Sequence, residues 1–303
     1  MSTGSARRIV GFVAISTLGL GSAASAMFFV GGRTGGADRR SEAAQAAVAD
    51  LAAWPGRDFS GLIEFDIERT TYSENAPQAR HQHARVWIAG PDRIRLDLWL
   101  DDEITAPVVC AIDGDRGVWM VWRDDAILHR APFPMPAGNA GMLNQMRMQL
   151  SQARGWAQLL TNPGVGEIDF SSPLSTTDSG ARVSISQGNN VTLVAARPDD
   201  APHYRPLFFA SAAWGSSMVI GGYHVPAADV AIPRSLTFLR ATRSREAAVE
   251  RWEIRSVESL PPESGDFDGA LAPPDRLSPD FPKVVAAAVY ASDGRLSVAT
   301  FRH

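Results

Sequence analysis

From Phe59 onward the chain alternates, with Ile63, Phe65 and Ile67 on one side and Leu62, Glu64, Asp66 and Glu68 on the other. A period of two predicts a half-buried strand, here with one apolar and one mostly acidic face. The alternation returns in Arg85 to Ala89. It is clearest in Arg93 to Leu100, where Ile94, Leu96, Leu98 and Leu100 face away from Arg93, Arg95, Asp97 and Trp99. Pro107 to Ile112 and Val118 to Arg123 read as two further strands, and Asp113-Gly114-Asp115 between them is a strong hairpin signal. Strands in sequence joined by short turns predict an antiparallel meander.

The period then changes to that of a helix. From Asn139 to about Leu160 the residues Leu143, Met146, Leu150, Ala153, Ala157 and Leu160 recur at spacings of three and four, with Arg147, Gln149 and Arg154 on the other side. Asn162-Pro163-Gly164 ends that helix. A shorter alanine-rich helix, Ala43 to about Trp54, opens at Ser41-Glu42 and stops at Pro55-Gly56. Strands resume at Ala181 to Ser186, Val191 to Ala196, Arg234 to Leu239 and Val249 to Val257. Pro198 to Pro233, with Phe208, Phe209, Trp214, Met218 and Tyr223, follows no regular period. Residues 261–282 are proline-rich and predict an extended segment, and Val284 to Phe301 predicts a last hairpin around Asp293-Gly294. The fold class expected is α+β.

At the start of the chain Arg7-Arg8 precede an uncharged run from Ile9 to Gly32. Ala24-Ser25-Ala26 fits the small-x-small site of an export signal, with cleavage after Ala26. Met27-Phe28-Phe29-Val30 prolongs the apolar run enough for a membrane anchor instead, and the two readings stay open. Either places the remainder outside the cytoplasm, in the periplasm or cell envelope. The expected organisation is residues 1–32 as signal or anchor, 33–40 as tether, 41–272 as the folded unit, and 273–303 as an extended C-terminal segment with the hairpin. Membrane association would run through residues 9–32.

Charge and composition narrow the chemistry. A net charge of -4 and a pI near 5.9 argue against nucleic acid as a partner. Lys283 is the only lysine, so no P-loop or Schiff-base lysine precedes it. Cys110 is the only cysteine, which excludes an intrachain disulfide and a multi-cysteine zinc site. His81 and His83 share a strand face without a third ligand at suitable spacing. Gly215-Ser216-Ser217-Met218-Val219 approaches a nucleophile elbow but has Val219 where the second glycine belongs. No catalytic set, metal site or cofactor loop is complete, and the expectation is a non-catalytic protein without cofactor. Trp87, Trp99, Trp119, Trp122 and Trp156, with Met142, Met146 and Met148, fit either ordinary core packing or the wall of an adaptable apolar cavity.

The order of several short motifs resembles that of the LolA/LolB-like lipoprotein carriers, a superfamily that includes the RseB-type regulators. The motifs are Phe59-Ser60-Gly61, the strand Ala84 to Ala89 leading into Gly90-Pro91-Asp92-Arg93-Ile94-Arg95-Leu96, Ala111-Ile112-Asp113-Gly114 before Val118-Trp119, and Trp252-Glu253-Ile254 through Phe267. The resemblance covers about residues 43–272. It implies a curved antiparallel incomplete β-barrel wrapped around helices, a half-barrel with an apolar cavity. The ligand implied is a lipid or lipoprotein acyl chain, with Ile94, Leu96, Leu98, Trp99, Trp119, Trp122, Leu143, Met146 and Leu150 as the ligand-binding residues. The alternative it offers is a membrane-anchored sensor binding another envelope protein through Pro198 to Pro233. Many such carriers have an arginine before the strand proline that holds a lid closed. Gly90 occupies that position here, and Arg93 and Arg95 are the candidate substitutes.

Overall fold

Strands whose alternate side chains are apolar need something to cover that face, and in this chain helices do it. The computed structural model describes residues 41–54, 58–72, 77–100, 107–122, 127–137, 141–199, 201–212, 215–227, 230–241, 247–273 and 284–300. The expected signal or anchor and the tether lie outside the described residues. Helix α1 (Glu42–Ala52) is followed by strands β1 (Gly61–Tyr72), β2 (Pro77–Ile88), β3 (Arg93–Leu100), β4 (Val108–Asp113), β5 (Val118–Val121) and β6 (Ile127–Ala131). The long helix α2 (Gly141–Thr161) intervenes. Then come β7 (Ser175–Asp178), β8 (Arg182–Gln187), β9 (Val191–Ala196), β10 (Arg205–Ser211) and β11 (Ser216–Ile220). A small pair, β12 (Tyr223–Ala227) and β13 (Val230–Pro233), precedes β14 (Ser235–Ala241) and β15 (Ala247–Ser259). Helix α3 (Gly265–Leu271) and strands β16 (Ala286–Tyr290) and β17 (Leu296–Thr300) complete the chain.

Fifteen strands form one sheet in the order β17-β16-β6-β5-β4-β3-β2-β1-β15-β14-β11-β10-β9-β8-β7. Every neighbouring pair is antiparallel except β16 with β6, which is parallel. The order does not close on itself, so the fold is an open antiparallel-dominant half-barrel around helices, of the α+β class. A register shift at Glu64/Phe65, where β1 meets β15, adds local twist near the middle.

The main core lies on the inner face. Ile94, Leu96 and Leu98 of β3 share it with Ile63, Phe65 and Ile67 of β1, as the alternation predicts. Helix α2 lays Leu143, Met146, Leu150, Ala153, Ala157 and Leu160 against it, and α1 adds Ala44, Ala47 and Leu51. Ser41 caps α1 by accepting the Ala44 N–H at 3.1 Å, and its own hydroxyl donates to Asp178 on β7 at 2.7 Å. The Trp54 indole N–H donates to the Thr161 carbonyl at 2.8 Å, tying the ends of α1 and α2 together. At the centre, Trp252 of β15 stacks on Phe65 with centroids 5.1 Å apart, and Trp156 of α2 meets it edge-on, also at 5.1 Å.

Two expectations are corrected. The Pro198 to Pro233 stretch is mostly strand, β10 to β13, whose buried side chains include Phe209, Met218, Ile220 and Ile232. Its prolines and glycines broke the two-residue period that would have marked those strands. The proline-rich segment 261–282 is not extended throughout, because Ser264 caps a helical turn by accepting the Asp266 N–H, and α3 follows.

Trp252 is fully buried and joins helix to sheet, so Trp252→Ala is expected to cost about 3–5 kcal/mol in urea unfolding. Met148→Ala, on the exposed side of α2, should stay within about 0.5 kcal/mol of the parent. Equal losses at the two positions would mean that the stacked cluster does not anchor the helix.

Candidate functional site

The expected site residues divide between the two faces of the sheet. Ile94, Leu96, Leu98, Leu143, Met146 and Leu150 are brought together on the inner face, with Trp122 packed partly buried beside them. These positions interlock as helix-on-sheet packing. Trp99 and Trp119 are elsewhere: period-two geometry carries them to the outer face, as it does Arg93, Arg95 and Asp97. Trp99 lies beside His83, with Arg85 over its ring. Trp119 belongs to a separate outer cluster with Val109, Ala111, Val121, Leu128, Val284 and Ala287.

The outer cluster explains Arg93 and Arg95. Arg95 forms a close pair with buried Asp97, Nε to Oδ1 at 2.6 Å, and donates from Nη1 to the Ala270 carbonyl at 2.7 Å. Arg93 reaches Asp113, Asp268 and the Pro262 carbonyl, and the Trp119 indole donates to the Leu271 carbonyl at 2.7 Å. Phe267 of α3 meets Trp87 edge-on. The two arginines therefore clamp α3 to the outer face rather than latching an inner lid. Gly90 has φ +138°, a conformation that a residue with a side chain rarely adopts. Two residues on, Asp92 pairs with Arg154 of α2 at 2.5 Å, linking the β2–β3 turn to the helix.

The imidazoles sit in a polar outer surface. His83 Nδ1 is 2.9 Å from Asp66, its cross-strand neighbour, and Arg255 also bonds Asp66. Burial pushes the Asp66 carboxyl up, but the hydrogen bonds from His83 and Arg255 outweigh it and hold that carboxyl below the usual range. Among the described residues no group of three or more His, Cys, Asp or Glu could hold a metal ion. Cys110 is buried on β4, and burial alone pushes its thiol up to about 12.

The cavity of interest opens at the far end of α2. It measures about 210 Å³ and lies between the last turns of the helix and strands β10, β11 and β14. Leu159, Phe209, Met218 and Phe238 give it apolar walls, while Gln158, Asn162, Glu167, Ser216 and Ser217 supply polar groups. Two glycines make room. Gly155 lies in α2, and a Cβ there would meet nothing within 4 Å. Gly164, at φ +74°, turns the chain so closely over Phe209 that a Cβ would fall 2.7 Å from the ring. Burial raises the Glu167 carboxyl above its ordinary range. None of the nine expected ligand-binding residues lines this space. Among the described residues no histidine lines it. The signal for it was in the sequence, as Gly155 and Gln158 on the flank beside the apolar stripe and as Phe209 and Met218 in an unassigned stretch.

The fold is similar to that of a LolA superfamily protein from Nitrosomonas europaea, at TM-score 0.36 and 10% identity, covering 75% of this chain and 98% of that one. It is similar also to a DUF1329 family protein from Desulfovibrio piger, at TM-score 0.36 and 9% identity, covering 77% and 100%. These are distant likenesses. No family model matches the chain, and no curated protein does.

Trp119→Phe removes the donor to Leu271 and leaves a buried carbonyl unpaired, which should cost at least about 1–3 kcal/mol. The amides of α3 should then exchange with deuterium faster than those of β2 and β3, and unchanged α3 protection would count against the clamp. Arg154→Gln should cost no more than about 1 kcal/mol, because the Asp92 and Arg154 side chains are 55% and 37% exposed and solvent screens the pair. The Cys110 thiol, neutral and enclosed, should resist a maleimide at pH 8 in the folded protein and react on denaturation. Rapid labelling without unfolding would contradict its burial.

Proposed function

We propose that this is an exported, non-catalytic protein of the cell envelope that binds an acyl chain of a lipid or lipoprotein between α2 and the sheet. The observation that carries the reading is the cavity walled by Leu159, Phe209, Met218 and Phe238. Apolar ligand surface transferred there from water contributes roughly 25 cal/mol per Å². The motif resemblance and the open half-barrel support the same reading, and the uncharged run Ile9 to Gly32 supports export.

The cavity is smaller than the roughly 300–1,000 Å³ of pockets that enclose drug-sized ligands, so the structure as it stands has room for the head-bearing end of a chain and not for a whole lipid. Deeper entry requires the C-terminal turns of α2 to move from β10, β11 and β14. The Trp156–Trp252 contact and the bond from Trp54 to the Thr161 carbonyl oppose that movement, and the exposed Asp92–Arg154 pair adds only a weak restraint. The sensor alternative is less supported. Among the described residues of the Pro198 to Pro233 stretch, Val225 is the large apolar side chain left exposed.

Gly155→Leu tests the reading without damaging the fold. The new side chain enters open space from a helical position, where glycine is itself unfavourable by about 1 kcal/mol relative to alanine. The melting temperature should hold or rise while binding of a fluorescent acyl probe falls about tenfold or more, a loss of roughly 1.4 kcal/mol. Probe binding unchanged in a folded Gly155→Leu variant would sink the proposal.

A further inference from the structure

We propose that the cavity prefers a neutral, hydrogen-bonding headgroup, a hydroxyl or an amide carried by a single acyl chain, over the carboxylate of a free fatty acid. The inference rests on the acyl-binding reading and adds the chemistry of the head.

Three observations carry it. Asn162 lines the cavity, and its Oδ1 is buried without a hydrogen-bond partner. Buried polar atoms are nearly always paired, so an orphaned acceptor in a cavity wall is suited to a donor brought by a ligand. Second, Asn162 and Gln158 stand one helical turn apart, and both carboxamides crowd Gly166. A Cβ on Gly166 would lie 2.8 Å from Asn162 Nδ2 and 2.9 Å from Gln158 Nε2. The absent side chain leaves the two amides uncovered by that turn. Third, among the described residues the one ionisable side chain lining the cavity is Glu167, with no arginine, lysine or histidine beside it.

A carboxylate head would enter a partly desolvated space beside another carboxyl, with no cation and no donor of its own for Asn162. A glycerol hydroxyl or an amide N–H donates to the orphaned oxygen, and its own oxygen accepts from the Gln158 amide or the Ser216 and Ser217 hydroxyls. A site with a buried polar group discriminates strongly against an analogue that leaves the group unpaired. The walls then hold the chain, and this polar set reads the head.

The test uses the full-length protein at pH 8 and a fluorescent acyl probe, displaced by monolauroylglycerol or by laurate, each below its micelle concentration. Monolauroylglycerol should displace the probe at least about tenfold more tightly than laurate. Asn162→Leu should weaken monolauroylglycerol about fivefold or more and leave laurate unchanged, by loss of the one hydrogen bond. Glu167→Gln, at a half-buried position that tolerates an isosteric amide, should tighten laurate and narrow the gap. Equal displacement by the two ligands in the parent protein overturns the headgroup preference while acyl binding stands. A gap that survives both substitutions also overturns it, since the preference would then arise elsewhere. Failure of the probe itself to bind overturns the acyl reading and this inference together.

Discussion

The contact on which the rest depends is that between Trp156 of α2 and Trp252 of β15. Trp252 is stacked by Phe65 on one side and approached by Phe238 on another, with centroids at 5.1 and 5.3 Å. Trp156 closes the group from the helix, meeting Phe65 at 5.6 Å as well. Four aromatic side chains from β1, β14, β15 and α2 thus settle how far the helix stands from the sheet. Such pairs add about 0.5–1.5 kcal/mol each beyond their area burial and prefer offset or edge-on geometry. Phe238 takes part in this group and also walls the cavity, so the spacing that anchors the helix sets the width of the space beside it.

A second constraint comes from β4 and β5. Val108 to Ile112 and Val118 to Val121 are buried throughout, on both faces. A strand apolar on both sides requires two covers. The inner cover is α2. The outer one is assembled from chain distant in sequence, namely α3 and Val284, while Ala287 of β16 joins the same apolar face from within the sheet. Arg93, Arg95 and Trp119 earn their positions here, because their donors satisfy carbonyls at Pro262, Ala270 and Leu271 near the ends of a helix only two turns long. Hydrogen bonds to charged donors are worth about 1.5–3 kcal/mol, enough to seat an element too short to persist alone.

These two constraints also explain what the sequence disclosed. The meander from β1 to β5, the α2 stripe and the final turn at Asp293-Gly294 were legible because each rests on a local period or a local turn residue. Residues 77–80 show no alternation because that end of the strand is exposed, and only pairing with β1 identifies them as part of β2. The α3 helix was hidden because its stability comes from residues about 170 positions away, as in the bonds from Arg93 and Arg95. Trp99 and Trp119 were misplaced for a different reason. Grouping them with the cavity rested on residue type and resemblance, whereas their parity against Leu98 and Met120 already assigned them to the other face.

The placement of the cavity follows from the same stripe. Along its first turns α2 offers Leu143, Met146 and Leu150 to the sheet, and each fills the space it faces. Farther on, the flank turned to β10, β11 and β14 carries Gly155, Gln158 and Asn162, two of them polar and one without a side chain. Large residues such as Phe209 and Met218 stand opposite but do not reach across. The space is open to solvent, and a leucine at Gly155 would fill part of it without strain, yet the chain has glycine there. On the proposed acyl-binding reading that choice has a reason, since a bound chain would fill the space that the missing side chain leaves.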